Sequence, residues 1–246
     1  MKLKHYLLLG AAVLVLTGSF FLPDAVAGVT DMRRFDNLII LDTQSIIFDP
    51  APELSLLDRL LIAANTSTES LPLKTGNVMD GDAATECVFR ELERFSRLSP
   101  WDVDYSSYVV EESSASLMID TMIPTLNMVV WDLTLTDTSD NTILVTVDDE
   151  MGVILRLVVR WRSGNINMTG SVPSGASAPS DAELYNVALI LAEMMTDYYG
   201  LPVELADYLF SETFSYYKAE IADSRISSIP MYGIIRANGF TMNERV

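Results

Sequence analysis

The sequence predicts an α+β domain in which amphipathic helices pack on a mainly antiparallel β-meander sheet, preceded by a hydrophobic N-terminal helix. Three observations predict it. Between Leu126 and Arg162, three runs alternate apolar and polar residues and are separated by turn-forming residues. Ser180-Asp181-Ala182-Glu183 is a capping box that opens a long helical pattern. Residues 82–97 repeat apolar side chains at the spacing of one helix face.

In the first of the three runs Trp131, Leu133 and Leu135 share a face, and in the second Ile143, Val145 and Val147 do. In the third, the shared face comprises Val153, Leu155, Leu157, Val159 and Trp161. Asp137 to Asn141 forms the first turn and Asp148 to Gly152 the second, with Gly152 free to take a positive φ. The opposite face carries Asp132, Thr134, Thr146, Asp148, Arg156, Arg160 and Arg162, a mixed polar set expected to meet water. Arg156 and Arg160 lie on one side of the third strand, where they can clamp a carboxylate or a peptide terminus. Cross-strand pairing with Asp132 or Asp148 is the simpler expectation for them. These four residues are the candidate binding set.

The helices follow from periodicity and caps. Leu56, Leu57, Leu60, Leu61 and Ala64 make the stripe of a short helix over 53–64, opened by Pro52 and closed at Asn65-Thr66-Ser67-Thr68. A polar turn through Lys74, Gly76 and Asp80 leads to the helix over 82–97, with Asp82 as N-cap and Ala84, Val88, Leu92 and Phe95 on its apolar face. Its other face, with Glu86, Arg90, Glu93, Arg94 and Arg97, reads as solvated. Residues 98–124, including Trp101, Tyr105 and Tyr108, give no clear element. A Gly/Ser/Pro-rich loop spans 163–179. The helix after it places Leu184, Val187, Ala188, Leu191, Met195 and Tyr198 on one face and stops at Gly200 and Pro202. Strands are expected at 214–222 and 229–237, with Asn238-Gly239 as a type I′ turn before Phe240.

The chain begins with Lys2, Lys4 and His5, followed by an uncharged run from Tyr6 to Leu22 and then Pro23-Asp24-Ala25-Val26-Ala27-Gly28. That is the tripartite form of a secretory signal, with Ala25 and Ala27 suited to a signal peptidase. The run also reaches the lower length limit of a membrane span, so residues 1–27 read either as a cleaved signal or as an anchor. Residues 28–75 then form a tether and short helix, and 76–246 an extracytoplasmic α+β domain.

Charge and composition exclude several classes. The formal charge of −18, from 34 acidic against 16 basic residues, repels phosphate backbones and argues against nucleic-acid binding. Cys87 is the single cysteine and His5 the single histidine, so a Ser-His-Asp triad, a His-ligated zinc site and an intrachain disulfide are all ruled out. Cys87 falls on a helix stripe and is expected to be a buried, inert thiol. The acids Asp137, Asp140, Asp148, Asp149 and Glu150 could gather at the ends of the meander but lack the ladder of a calcium loop. No phosphate loop, nucleophile elbow or dinucleotide fingerprint occurs, and no cofactor is expected.

Trp131-Asp-Leu-Thr-Leu, followed by Val145-Thr-Val-Asp148-Asp-Glu-Met-Gly152-Val-Ile-Leu155, resembles the strand–turn–strand signature of PepSY-like domains. In that family a helix precedes two strands, and a Val-Asp-x-x-Thr-Gly turn joins the second strand to the next. Val147, Asp148 and Gly152 match, while Met151 stands where the family has threonine. The resemblance covers residues 126–155 and implies an extracytoplasmic module that binds or modulates a peptidase without being a catalyst. The expected partner is an envelope protein or peptide, with the membrane also a partner if the leader is retained. The alternative is an extracytoplasmic hydrolase working through carboxylates alone, for which Asp132, Asp148 and Asp149 are the candidates.

Overall fold

The computed structural model describes residues 54–65, 67–99, 105–162, 180–210, 215–221, 229–236 and 238–243. All described residues belong to the second of the chain's two units, Leu41–Val246. The leader over 1–27, the tether over 28–52, Trp101 and the loop over 163–179 lie outside the described residues.

Within the second unit the elements run α1 (Leu56–Ala64), β1 (Thr68–Leu73), α2 (Gly81–Leu98), a 3-10 turn (Tyr105–Ser107), β2 (Val109–Asp120), β3 (Asn127–Thr136), β4 (Thr142–Asp148), β5 (Ile154–Arg160), α3 (Asp181–Tyr199), β6 (Val203–Phe210), β7 (Ser215–Ile221), β8 (Ile229–Arg236) and β9 (Gly239–Met242). The strands make one nine-stranded sheet in the order β1-β2-β3-β4-β5-β9-β8-β7-β6. Every neighbouring pair is antiparallel. Two successive meanders, β1 to β5 and β6 to β9, are joined side by side where β9 pairs with β5. The α+β class and the antiparallel meander over 126–162 are therefore as the periodicity predicts.

One face of the sheet is dry. Trp131, Leu133, Leu135, Ile143, Val145, Val147, Leu157 and Val159 are all buried. α2 and α3 pack beside one another and onto the sheet, and their inner faces, Ala84, Val88, Leu92 and Phe95 on α2 and Leu184, Val187, Ala188, Leu191 and Met195 on α3, are buried. Each large apolar side chain so removed from water contributes about 1.5–3 kcal/mol. The contact is pinned by Tyr198, whose hydroxyl donates to Glu91 Oε2 at 2.9 Å and accepts the Ile154 N–H at 2.9 Å. Beside it, Tyr199 Oη donates to the Ile154 carbonyl at 2.9 Å. α3 starts at the expected capping box, Ser180 with Glu183, and ends at Gly200, whose φ of 66° gives the left-handed cap.

Several expectations change. α1 opens at Ser55 and not at Pro52, because Ser55 and Asp58 form a capping box. Its most buried residues are Arg59, Leu60, Ile62 and Ala63, a face rotated from the expected stripe because Arg59 turns inward toward a buried carboxylate. Asp80, not Asp82, caps α2, its side chain accepting from the Ala83 N–H at 2.9 Å. β1, β2 and β6 occupy segments for which the alternation gives no strand. β1 and β6 are the sheet edges, where one face of short-period burial is missing and Pro72 is tolerated. β2 follows β1 into the sheet through a run of serines and glutamates exposed on both faces over its first half.

In β5 the period of two is broken by a bulge. Thr146 pairs with Arg156 and Val147 with Ile154, which leaves Leu155 as the extra residue. Ile154, not Val153 or Leu155, thus joins Leu157 and Val159 on the dry face. Gly152 takes the expected positive φ, 65°. Asn238-Gly239 does not form the expected type I′ turn: Gly239 already pairs with Arg236 as the first residue of β9, and its φ is not positive. Glycine is needed there for a different reason, since a Cβ would run into the backbone of Val159 and Arg160 on β5.

Candidate functional site

The second face of the sheet is only partly covered. At one end Met118, Met128, Val130 and Asp148 are buried, and α1, which packs against β2, β5 and β8, brings Arg59 to Asp148. Toward the other end the same face opens into a cleft of about 210 Å³ lined by Glu112, Ser114, Asp132, Thr134, Leu144, Thr146 and Arg156. Register explains why these residues meet. Ser114 pairs with Asp132, Asp132 with Thr146, and Thr146 with Arg156, so one row crosses four strands on one side of the pleat. Glu112 and Thr134 form the next row.

Asp132 is exposed and accepts the Thr146 hydroxyl at 2.5 Å, which fixes its carboxylate over β4. Arg156 is half-buried, and its Nε is fully shielded yet has no hydrogen-bond partner among the described residues. The cross-strand ion pairs expected for Arg156 and Arg160 do not form. Asp132 is held by Thr146 and Asp148 by Arg59, so neither arginine meets either carboxylate. Arg160 is exposed farther along β5, beside a depression of about 60 Å³ that it shares with Arg236 of β8.

Asp148 leaves the candidate set altogether. Its side chain is 0% exposed, and Oδ2 accepts from Arg59 Nη1 at 2.6 Å. Oδ1 accepts the Glu150 and Met151 N–H groups at 3.0 and 2.6 Å, so the carboxylate also closes the β4–β5 turn. Arg59 bonds Glu150 as well, and donates from Nε to the Leu54 carbonyl at 3.2 Å. Burial works against the Arg59 charge, but the bonds to Glu150 and Asp148 outweigh it and hold the guanidinium above its ordinary pKa.

Asp149 is likewise internal. It is 1% exposed and accepts four hydrogen bonds: from the N–H groups of Asn77, Val78 and Met79 at 2.7, 2.8 and 3.0 Å and from Trp131 Nε1 at 2.9 Å. It ties the loop between β1 and α2 to the end of the meander. Gly76 is obligatory beside it, because a Cβ there would lie 2.6 Å from both Trp131 Nε1 and the Met79 carbonyl and closer still to the Asp149 carboxylate.

The five acids named for a metal cluster do not gather. Asp137 and Asp140 sit in the β3–β4 turn and Asp148 to Glu150 in the β4–β5 turn, at opposite ends of β4. Asp137 is spent on its own turn, accepting from Ser139 N at 2.8 Å, Asn141 N at 2.9 Å and Asn141 Nδ2 at 2.7 Å, while Asp140 pairs with Arg162. Among the described residues no group of three or more His, Cys, Asp or Glu side chains is arranged to hold a metal ion. Cys87 is buried as expected, donating to the Gly152 carbonyl at 3.3 Å, and burial pushes its thiol pKa up, against the lowering influence of Arg90.

Of the four candidates, then, the structure brings Asp132 and Arg156 into one cleft, sets Arg160 beside a second depression, and consigns Asp148 to the interior. Sequence reasoning missed Glu112 and Arg236, which lie on strands whose neighbours are known only from the sheet order. It also missed Arg59, for which a charged residue within a leucine-rich helix is the one available signal. No helix among the described residues is long and apolar enough to cross a membrane. Comparison with protein-family models, curated proteins and solved structures finds no match to this chain.

Proposed function

We propose that this protein is a non-catalytic binding or regulatory module of the bacterial cell envelope, which receives a protein or peptide partner on the open face of its sheet. The observation that carries this reading is Arg156, a half-buried residue that lines a cleft and whose Nε meets no hydrogen-bond acceptor, and whose guanidinium meets no carboxylate, among the described residues. A buried donor without an acceptor costs about 1–3 kcal/mol, so the fold holds this guanidinium in the cleft without satisfying it. Of the three carboxylates that the sequence offers for chemistry, Asp148 and Asp149 are each consumed by internal hydrogen bonds and closed to substrate, which leaves Asp132 alone exposed in the cleft. The PepSY-like turn at 147–152 supports a modulating role, and the uncharged run Tyr6 to Leu22 behind Lys2 and Lys4 supports export.

The test joins location to binding. A reporter fused after Val246 should work outside the cytoplasm, and sequencing of the mature N-terminus should find either Gly28 first or an intact membrane-bound leader. Crosslinking of the full chain in envelope extract should then capture a partner that the cleft variant Arg156→Gln, checked for an unchanged far-UV spectrum, captures less well. A reporter active only in the cytosol, or capture indifferent to Arg156, would refute the proposal.

A further inference from the structure

The arginines among the described residues divide into two groups. Arg59 meets Asp148 and Glu150, Arg90 and Arg94 meet Glu91, Arg97 meets Glu93 and Arg162 meets Asp140. Arg156, Arg160 and Arg236 have no carboxylate partner among the described residues. With acids outnumbering bases 34 to 16, an arginine that finds no carboxylate is the exception. All three exceptions stand on one face of the sheet. Arg156 and Arg160 alternate with Val158 along β5, and Arg160 and Arg236 both pair with Gly239, so the three side chains leave the pleat on the same side.

We propose that this arginine triad is a docking surface for an extended acidic peptide whose carboxylates lie four residues apart. The proposal rests on the binding-module reading and names the partner's chemistry. Arg160 and Arg236 lie two strands apart, about 10 Å between backbones, and line the same small depression together with Val158, Ile234 and Thr241. They can close on one carboxylate from two sides. Arg156 lies four residues along β5 from Arg160, about 13 Å, which is the span between side chains i and i+4 of an extended peptide. A second carboxylate on that peptide therefore reaches Arg156 while the first is clamped.

Charge selects against other anions. Glu112 and Asp132 flank Arg156 in its cleft, so a continuous run of acids would be repelled there, whereas two separated carboxylates avoid them. The field of a small cationic patch is confined to about 8 Å in physiological salt. A nucleic acid or an anionic bilayer extends beyond that distance and meets the rest of a chain of net charge −18. A short end-capped peptide also passes that distance, but it carries no charge besides the two carboxylates that meet the arginines.

The experiment measures fluorescence anisotropy of labelled, end-capped nonapeptides with the full chain held in neutral detergent. One peptide carries Glu at positions 3 and 7, a second carries Gln there, and a third carries the two Glu residues side by side. The first should bind saturably, with the other two at least about tenfold weaker. Arg160→Gln/Arg236→Gln, both at exposed positions, should weaken the first peptide at least about tenfold, and Arg156→Gln should do so separately. The peptide swaps leave the protein untouched, so a folding defect in a variant cannot imitate the result.

Equal binding of the Glu and Gln peptides, equal binding of the side-by-side peptide, or binding unaltered by the arginine substitutions would overturn the proposal. So would arginine-dependent binding to phosphatidylglycerol vesicles in place of the peptide, which would assign the surface to lipid. The two readings separate cleanly: an envelope partner captured equally by wild type and by Arg160→Gln/Arg236→Gln would overturn the acidic-peptide surface and leave the binding module standing.

Discussion

Asp149→Ala offers the sharpest test of how the two parts of the fold are held together. The carboxylate is 1% exposed and receives four donors, three from the backbone of Asn77, Val78 and Met79 and one from the indole of Trp131. Removing it leaves Nε1 of Trp131, a residue 4% exposed, with nothing to accept its proton, at a cost of about 1–3 kcal/mol. The three loop N–H groups lie beside exposed Val78 and can recover water, so each loses only its net charge-assisted bond, about 1 kcal/mol apiece after rehydration. The sum is about 4–6 kcal/mol, a large part of the 5–15 kcal/mol typical of a domain. Urea unfolding followed by tryptophan fluorescence should show the midpoint falling with little change in slope. Hydrogen exchange at the amides of 77–79 should lose its protection in the native state even where the domain stays folded. A loss below about 1 kcal/mol, with those amides still protected, would show that the loop is fixed by other contacts and that the carboxylate is incidental.

Other consequences follow from the same geometry. Arg59→Met should cost about 3–5 kcal/mol in urea unfolding, because it strands the Asp148 carboxylate at 0% exposure without a counter-charge; a loss under about 1 kcal/mol would refute the pairing. Asp137 is pushed upward by its partial burial, but the donors of Asn141 and Ser139 prevail and hold its pKa below the usual carboxylate range. Because the folded pKa is the lower one, this stabilisation is complete above the unfolded pKa of about 3.9 and is lost as pH falls through the folded value. NMR titration of the Asp137 carboxyl should therefore find a low midpoint, with the Ser139 and Asn141 amide shifts following it, and a midpoint at or above 3.9 would contradict the assignment. Cys87, 3% exposed and with its pKa raised chiefly by burial, should resist a thiol reagent in the native state and react fully in urea; fast native labelling would show that α2 does not seal it.

Much of the scaffold is legible in the sequence because it is written locally. The capping box at Ser180, the left-handed stop at Gly200, the alternation in β3 and β4 and the Asp148–Gly152 turn depend on residues within a few positions of one another. Elements whose identity comes from a distant neighbour are not legible in this way. β2 has serines and glutamates where alternation should be, and β6 carries exposed Leu209 and Phe210. Both become strands by pairing with β3 and β7, not by their own pattern. The bulge at Leu155 shifts one residue and so exchanges which side chains face the helices, an event no period-two reading contains.

The site divides along the same line. The sequence by itself determined the acid excess, the single cysteine and the single histidine at position 5, the polar face of the meander and the presence of Asp132, Arg156 and Arg160 on it. Only the tertiary structure decided which charges are free. It sends Arg59 from a leucine-rich helix to cancel Asp148, spends Asp149 on a loop that lies 70 or more residues away in the chain, and sets Arg236 beside Arg160 across β9. The physical reason is that ionic and hydrogen-bonding partners are chosen by distance in space, at a few ångströms, and chain separation carries no information about that distance until the sheet order is known.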